Sequence, residues 1–136
     1  MDMTITFPGG KRVDATFGAH TIRTDQSEKM GGEGSAPEPF ETFLAAIGTC
    51  AGIYVLGFCQ ARGIATDGLR LVQHNEWDPG THRLAKVAIE IILPPEFPAK
   101  YRAAVQRAAD QCAVKKAIFD PPAFEVQTVI EPSLIA

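Results

Sequence analysis

Cysteine is scarce in this chain: Cys50, Cys59 and Cys112 are the only three among 136 residues, and none forms a CxxC pair. So sparse and odd a set argues against a structural disulfide framework. It leaves buried structural thiols, metal ligands or redox chemistry. His20, His74 and His82 show no zinc-ligand spacing beside the cysteines, so neither a metal nor another cofactor is expected. An excess of one charge is lacking as well. The 13 basic and 16 acidic residues leave a formal net charge of −3 with no Lys/Arg block, and nucleic acid is not an expected partner. The opening MDMTITFPGGKRVDA lacks a basic segment followed by an apolar stretch, so the expected location is cytoplasmic.

What is present is a chain 46% hydrophobic, enough for one globular domain over residues 1–136. Thr4–Phe7 and Arg12–Thr24 have β-type composition around the turn Phe7-Pro8-Gly9-Gly10-Lys11, which predicts an N-terminal hairpin. Asp25–Pro39 is rich in Gly, Ser, Pro and Glu and reads as a long exposed loop. A helix then starts at Pro39 and stops near Gly63, residue types suited to the first turn and the C-terminal cap. It is uncharged from Thr42 to Ala61, roughly the 20 residues that a membrane span requires. Thr49, Cys50, Gln60 and the glycines at 48, 52 and 57 favour instead a central helix buried on all sides, with no membrane partner.

Leu69–Asn75 and Leu84–Leu93 read as strands joined by Glu76–His82, with Lys86, Ala88 and Glu90 alternating against Val87, Ile89 and Ile91. After Pro94–Pro98 a second helix is expected to carry Tyr101, Val105, Ala108 and Cys112 on one face, and Phe124–Glu131 to close the fold as a strand. The order is ββ–long helix–ββ–helix–β, an α+β class.

Cys50 lies mid-helix in an uncharged setting, which composition alone reads as an inert structural thiol. Reactivity needs thiolate, and Cys50 stands too far from the helix N-terminus for the dipole to supply it. A cation would have to come from elsewhere, and Arg12 and Arg23 are available. Cys59, at ~100° per residue, falls on the opposite side of the helix and ~13 Å along it, beyond disulfide reach of Cys50. Cys112, on the second helix, is geometrically free to approach. Gly48 and Gly52 bracket Cys50 in a GxxxG spacing, read either as a close helix or subunit approach or as chance in a Gly/Ala-rich helix.

Gly31-Gly32, Ser35–Glu41, Phe43–Cys50, the second block Ala109–Val114 and the downstream Phe124-Glu125-Val126 together resemble the OsmC/Ohr superfamily over nearly the whole chain. That resemblance implies an intertwined homodimer whose subunits exchange strands around central helices. It also implies a two-cysteine cycle: Cys50 attacks an organic hydroperoxide or other small apolar electrophile, Cys112 resolves the sulfenic acid as a disulfide, and a dithiol reductant resets the pair. An arginine, here Arg23 in preference to Arg12, and a glutamate would complete the site. Peroxidase members carry that glutamate ten residues before the first cysteine; here Phe40 holds that place and Glu41 stands nine before, ~180° from Cys50 on a helix. Glu33 or Glu38 would have to substitute. The pattern is closer to the general, YhfA-type branch. The alternative is a non-catalytic dimer that binds a small apolar ligand at its subunit interface.

Overall fold

Turn chemistry divides the N-terminal part into three strands, where the sequence reads as two. The structure, a computed structural model, describes residues 1–131. Strands β1 (Thr4–Gly9), β2 (Arg12–Phe17) and β3 (His20–Thr24) form an antiparallel sheet in that order. Gly18, at φ 54, opens the reversal between Phe17 and its partner His20, a backbone state that most side chains avoid. The faces of this sheet are not laid extensively against the rest of the chain. Ile5 and Phe7 stay exposed on it.

Helix α1 (Pro39–Ala61) begins as expected, with Pro39 in its first position. A reciprocal cap secures the start: the Glu38 side chain accepts a main-chain N–H inside the first turn, and Glu41 Oε2 accepts from the Glu38 N–H at 2.9 Å. Gly63, at φ 62, lies just beyond its end. The helix buries Leu44, Ile47, Ala51, Val55 and Cys59, a stripe at helical spacing. Of these, Ala51, Val55 and Cys59 pack with Phe97, Val105 and Ala109 and, more loosely, with Leu71, Ile89 and Ile91 of the second sheet. Burial on all sides is not met within one chain. Ile53 is 59% exposed, and Phe43 and Tyr54 are also open to solvent.

The second sheet pairs β4 (Arg70–Trp77) with β5 (Leu84–Ile92), antiparallel, as the alternation predicts. Its turn is organised by Asp78 Oδ1, which accepts from the N–H groups of Gly80 and Thr81 at 2.8 Å each. Two expectations fail farther on. The second helix is not continuous to Cys112. It runs from a 3-10 turn at Ala99–Tyr101 into α2 (Arg102–Ala109), breaks at Asp110–Cys112, and restarts as α3 (Ala113–Phe119). Nor is Phe124–Glu131 a strand. It runs irregular, with Phe124, Val126, Val129 and Ile130 all more than four-fifths exposed, and it joins neither sheet of its own chain. The architecture is α+β in the order βββ–α–ββ–α–α.

Candidate active site

Side chains on a helix lean back over the preceding turn, so the half-buried Cys50 thiol lies over the turn of α1 that carries Ile47. The start of α3 is brought against this turn. The Val114 N–H contributes most to holding the Cys50 pKa below its ordinary value. Burial opposes the shift, and Cys112 and Ala113 add to it.

Cys112 is fully buried at the N-cap of α3. Its Sγ accepts from the Lys115 N–H at 3.5 Å and faces the Ile47 carbonyl at 3.9 Å. The break between α2 and α3 therefore has a physical cause. The buried thiol caps the new helix while reaching across to α1, and a continuous helix would deny it that place. Sequence patterning placed Cys112 on a helical face; the structure places it at a helix start. All three thiols are free.

Cys59 has the opposite character. It is wholly buried in the core stripe, and burial pushes its thiol pKa up, only partly countered by the charge of Arg62.

Within one chain, the other sequence-derived site residues do not gather here. Arg23 is exposed on β3 opposite Asp14, and Arg12 folds back to donate from Nε to the Gly9 carbonyl at 3.3 Å. Glu41 is engaged in the α1 cap and lines a groove with Gly48, Thr49 and Gln73, away from the α3 side. Glu38 accepts from the Ser27 N–H at 3.1 Å. The GxxxG spacing receives no helix either. Gly48 is covered by the Gln73 side chain, and Gly52 faces open space.

Two features escaped the sequence reading. The loop before α1 is tied to Asp25, a buried carboxylate that accepts from Ser35 Oγ at 2.6 Å and from the N–H groups of Gln26, Ser35 and Glu33 at 2.8, 3.0 and 3.3 Å. These bonds, led by the Ser35 hydroxyl, lower its pKa to about 2. The glycines were the available signal. A Cβ at Gly32 would run into the Gln26 carbonyl. The second feature is a cavity of about 510 Å³ lined by Phe43, Ile47 and Ala51 of α1 with Ile89, Ile118 and Phe119, the Lys115–Asp110 ion pair (2.8 Å) on its wall; neither Cys50 nor Cys112 lines it. Its size and apolar lining suit a small organic molecule.

Residues 32–127 match the family described as OsmC-like protein. The fold is similar to that of a Psychrobacter arcticus 273-4 protein described as an osmotic stress induced and detoxification response protein (TM-score 0.72, 20% identity, 85% of each chain covered). It is also similar to that of OsmC, described as an organic hydroperoxide resistance protein, from Legionella pneumophila (TM-score 0.54, 18% identity, 87% of this chain and 89% of the other covered). No curated protein matches the sequence.

Proposed function

The chain belongs to the OsmC-like protein family, and on that premise we propose that it reduces organic hydroperoxides through a Cys50–Cys112 thiol cycle. The observation that carries this reading is the setting of the two thiols: Cys112 lies buried at the start of α3 against the Ile47 carbonyl, one turn before Cys50 on α1, and the start of α3 lowers the Cys50 pKa. The Cys50 thiolate attacks the terminal peroxide oxygen, the O–O bond breaks, and the alkoxide leaves and takes a proton as the alcohol. Cys112 then attacks the sulfenic sulfur, the S–O bond breaks, and water departs as the disulfide forms. A dithiol reductant exchanges with that disulfide and is itself oxidised. The cavity lined by Ile47 and Ala51, which flank Cys50 on α1, would receive the organic part of the peroxide. Free thiols and dithiol recycling suit a cytoplasmic setting.

The proposal includes a homodimer built of single OsmC-like domains. Three surfaces support it: the first sheet without a packed face, the open apolar side of α1, and the exposed apolar segment from Phe124 to Ile130. Arg23, on the unpacked sheet, would reach Cys50 only from a second copy. Glu41, held in the cap, is left out of the cycle.

Titration of the reduced protein with tert-butyl hydroperoxide tests the cycle. Wild type is expected to lose two thiols per peroxide, Cys112→Ser one, and Cys50→Ser none. Reduction by Cys50→Ser at the wild-type rate would overturn the proposal. The cavity favours a second reading, an apolar-ligand binder with idle thiols. Saturable binding of an apolar fluorophore without any peroxide-dependent thiol loss would establish it.

A further inference from the structure

We infer that Cys112 is also a clasp: as a thiol it fastens α3 to α1, and its conversion to a disulfide releases α3 and opens the cavity that α3 walls. This rests on the Cys50–Cys112 cycle proposed above.

Little else holds α3 in place. Its seven residues fall short of the roughly 12–15 at which a helix begins to persist alone in water, and none of them is buried. Ile118 is 45% exposed and Phe119 84%. The Lys115–Asp110 and Lys116–Gln111 contacts, at 2.8 and 3.4 Å, lie in solvent, where such pairs contribute little. The buried attachment is the residue before the helix. Cys112 is wholly shielded from solvent, and its sulfur bonds in two directions. It accepts from the Lys115 N–H at 3.5 Å, which caps α3, and it donates to the Ile47 carbonyl of α1 at 3.9 Å. Sulfur makes each bond weak, but both meet at one buried atom.

A disulfide undoes both ends of this clasp. In the cycle the two thiols give two electrons to the hydroperoxide, which leaves as alcohol and water with the two thiol protons. Cys112 then has no proton to give the Ile47 carbonyl. Its sulfur is placed by a covalent bond to Cys50 Sγ, no longer by the Lys115 N–H. The cap of α3 and its link to α1 are lost together. Lys115, Ile118 and Phe119 of α3 line the cavity with Phe43, Ile47 and Ala51 of α1, so the seam that opens is one of its walls. The dithiol form keeps that wall in place while the hydroperoxide binds. The disulfide form lets the alcohol go and gives the dithiol reductant a way to a sulfur that is otherwise buried.

Hydrogen exchange read by mass spectrometry on the full-length protein tests the clasp. In the reduced protein, Cys112→Ala removes both bonds. Its α3 amides are expected to exchange roughly 3- to 30-fold faster, while those of β4 and β5 keep their wild-type rates. Cys112→Ser keeps a cap and a donor, and its α3 is expected to exchange more slowly than that of Cys112→Ala. Equal rates in the two variants would make the effect one of lost packing and overturn the inference. The disulfide is then formed in wild type with diamide, which takes up two electrons and two protons as it becomes a hydrazine, and is identified as Cys50–Cys112 by peptide mapping. There α3 is expected to exchange as fast as in Cys112→Ala. Wild-type α3 rates in reduced Cys112→Ala overturn the inference, and so does equal protection of α3 in the dithiol and disulfide forms. Should Cys112→Ala fail to fold by circular dichroism, the comparison of the two wild-type forms decides alone. A disulfide that forms with diamide but not with tert-butyl hydroperoxide overturns the proposed reaction and leaves the clasp standing. No Cys50–Cys112 disulfide with either reagent overturns both.

Discussion

Gln73 of β4 lies across Gly48 of α1, with its Nε2 donating to the Leu44 carbonyl at 3.0 Å and to Asn75 Oδ1 at 2.9 Å. A Cβ at Gly48 would stand 2.6 Å from Gln73 Oε1. Glycine inside a helix costs about 1 kcal/mol relative to alanine, and here it makes room for a polar crosspiece that ties the thiol-bearing helix to the second sheet. The same crosspiece lines the groove that holds Glu41, on the side of α1 away from α3.

A double-mutant cycle should expose this coupling. Gly48→Ala gains about 1 kcal/mol of helix propensity but displaces Gln73 from its hydrogen bonds, at a cost of about 1–2 kcal/mol. The single mutant is therefore expected to be neutral to slightly destabilised in urea unfolding. In a Gln73→Ala background the same change should stabilise by about 1 kcal/mol, an interaction energy of roughly 1–2 kcal/mol. Additive effects would mean that Gln73 does not depend on the missing Cβ.

Asp25 makes the loop before α1 sensitive to acid. Its folded pKa, about 2, lies below the ordinary 3.8, so its contribution is complete above pH 4 and is lost as pH falls through 3.8 towards 2. Asp25→Asn should remove that part of the acid dependence while lowering Tm at pH 7, on the order of 5–10 °C. Melting curves from pH 2 to 7 check both. An unchanged acid slope in the variant would show that other carboxylates govern acid unfolding.

Ile53 addresses the homodimer. It sits mid-helix, 59% exposed, on the side of α1 that its own chain does not cover. Wild type is expected to run at twice its 14.6 kDa in light scattering. Burial of one isoleucine contributes about 2–3 kcal/mol, so Ile53→Lys should weaken association by roughly 10²-fold or more and yield monomer at micromolar concentration. A monomeric wild type would remove the explanation offered for the open face of α1.

Much of the fold was legible because its signals are local. Proline at the helix start, glycine past its end, Asp78-Pro79-Gly80 in a turn and alternation along β5 act within a few residues, and each element stands as read. Helical period was also enough to separate Cys59 from Cys50. The pairing of Cys50 with Cys112 rests on resemblance; the structure sets Cys112 at a helix start, against the carbonyl of Ile47 one turn before Cys50. Nothing local marks the break at Asp110–Cys112, since Ala108, Ala109, Gln111 and Ala113 would all continue a helix. Likewise Asp25 reads as an ordinary loop aspartate until Glu33 and Ser35 fold back onto it. Phe124–Glu131 has the composition of a strand but pairs with no sheet edge of its own chain. Sequence alone determined helix α1, the paired strands β4 and β5 and the turn between them, because those preferences are properties of short stretches. The setting of the two thiols was decided by tertiary structure. A buried sulfur meets whatever backbone is packed against it, and for Cys112 that includes the Ile47 carbonyl, 65 residues away along the chain.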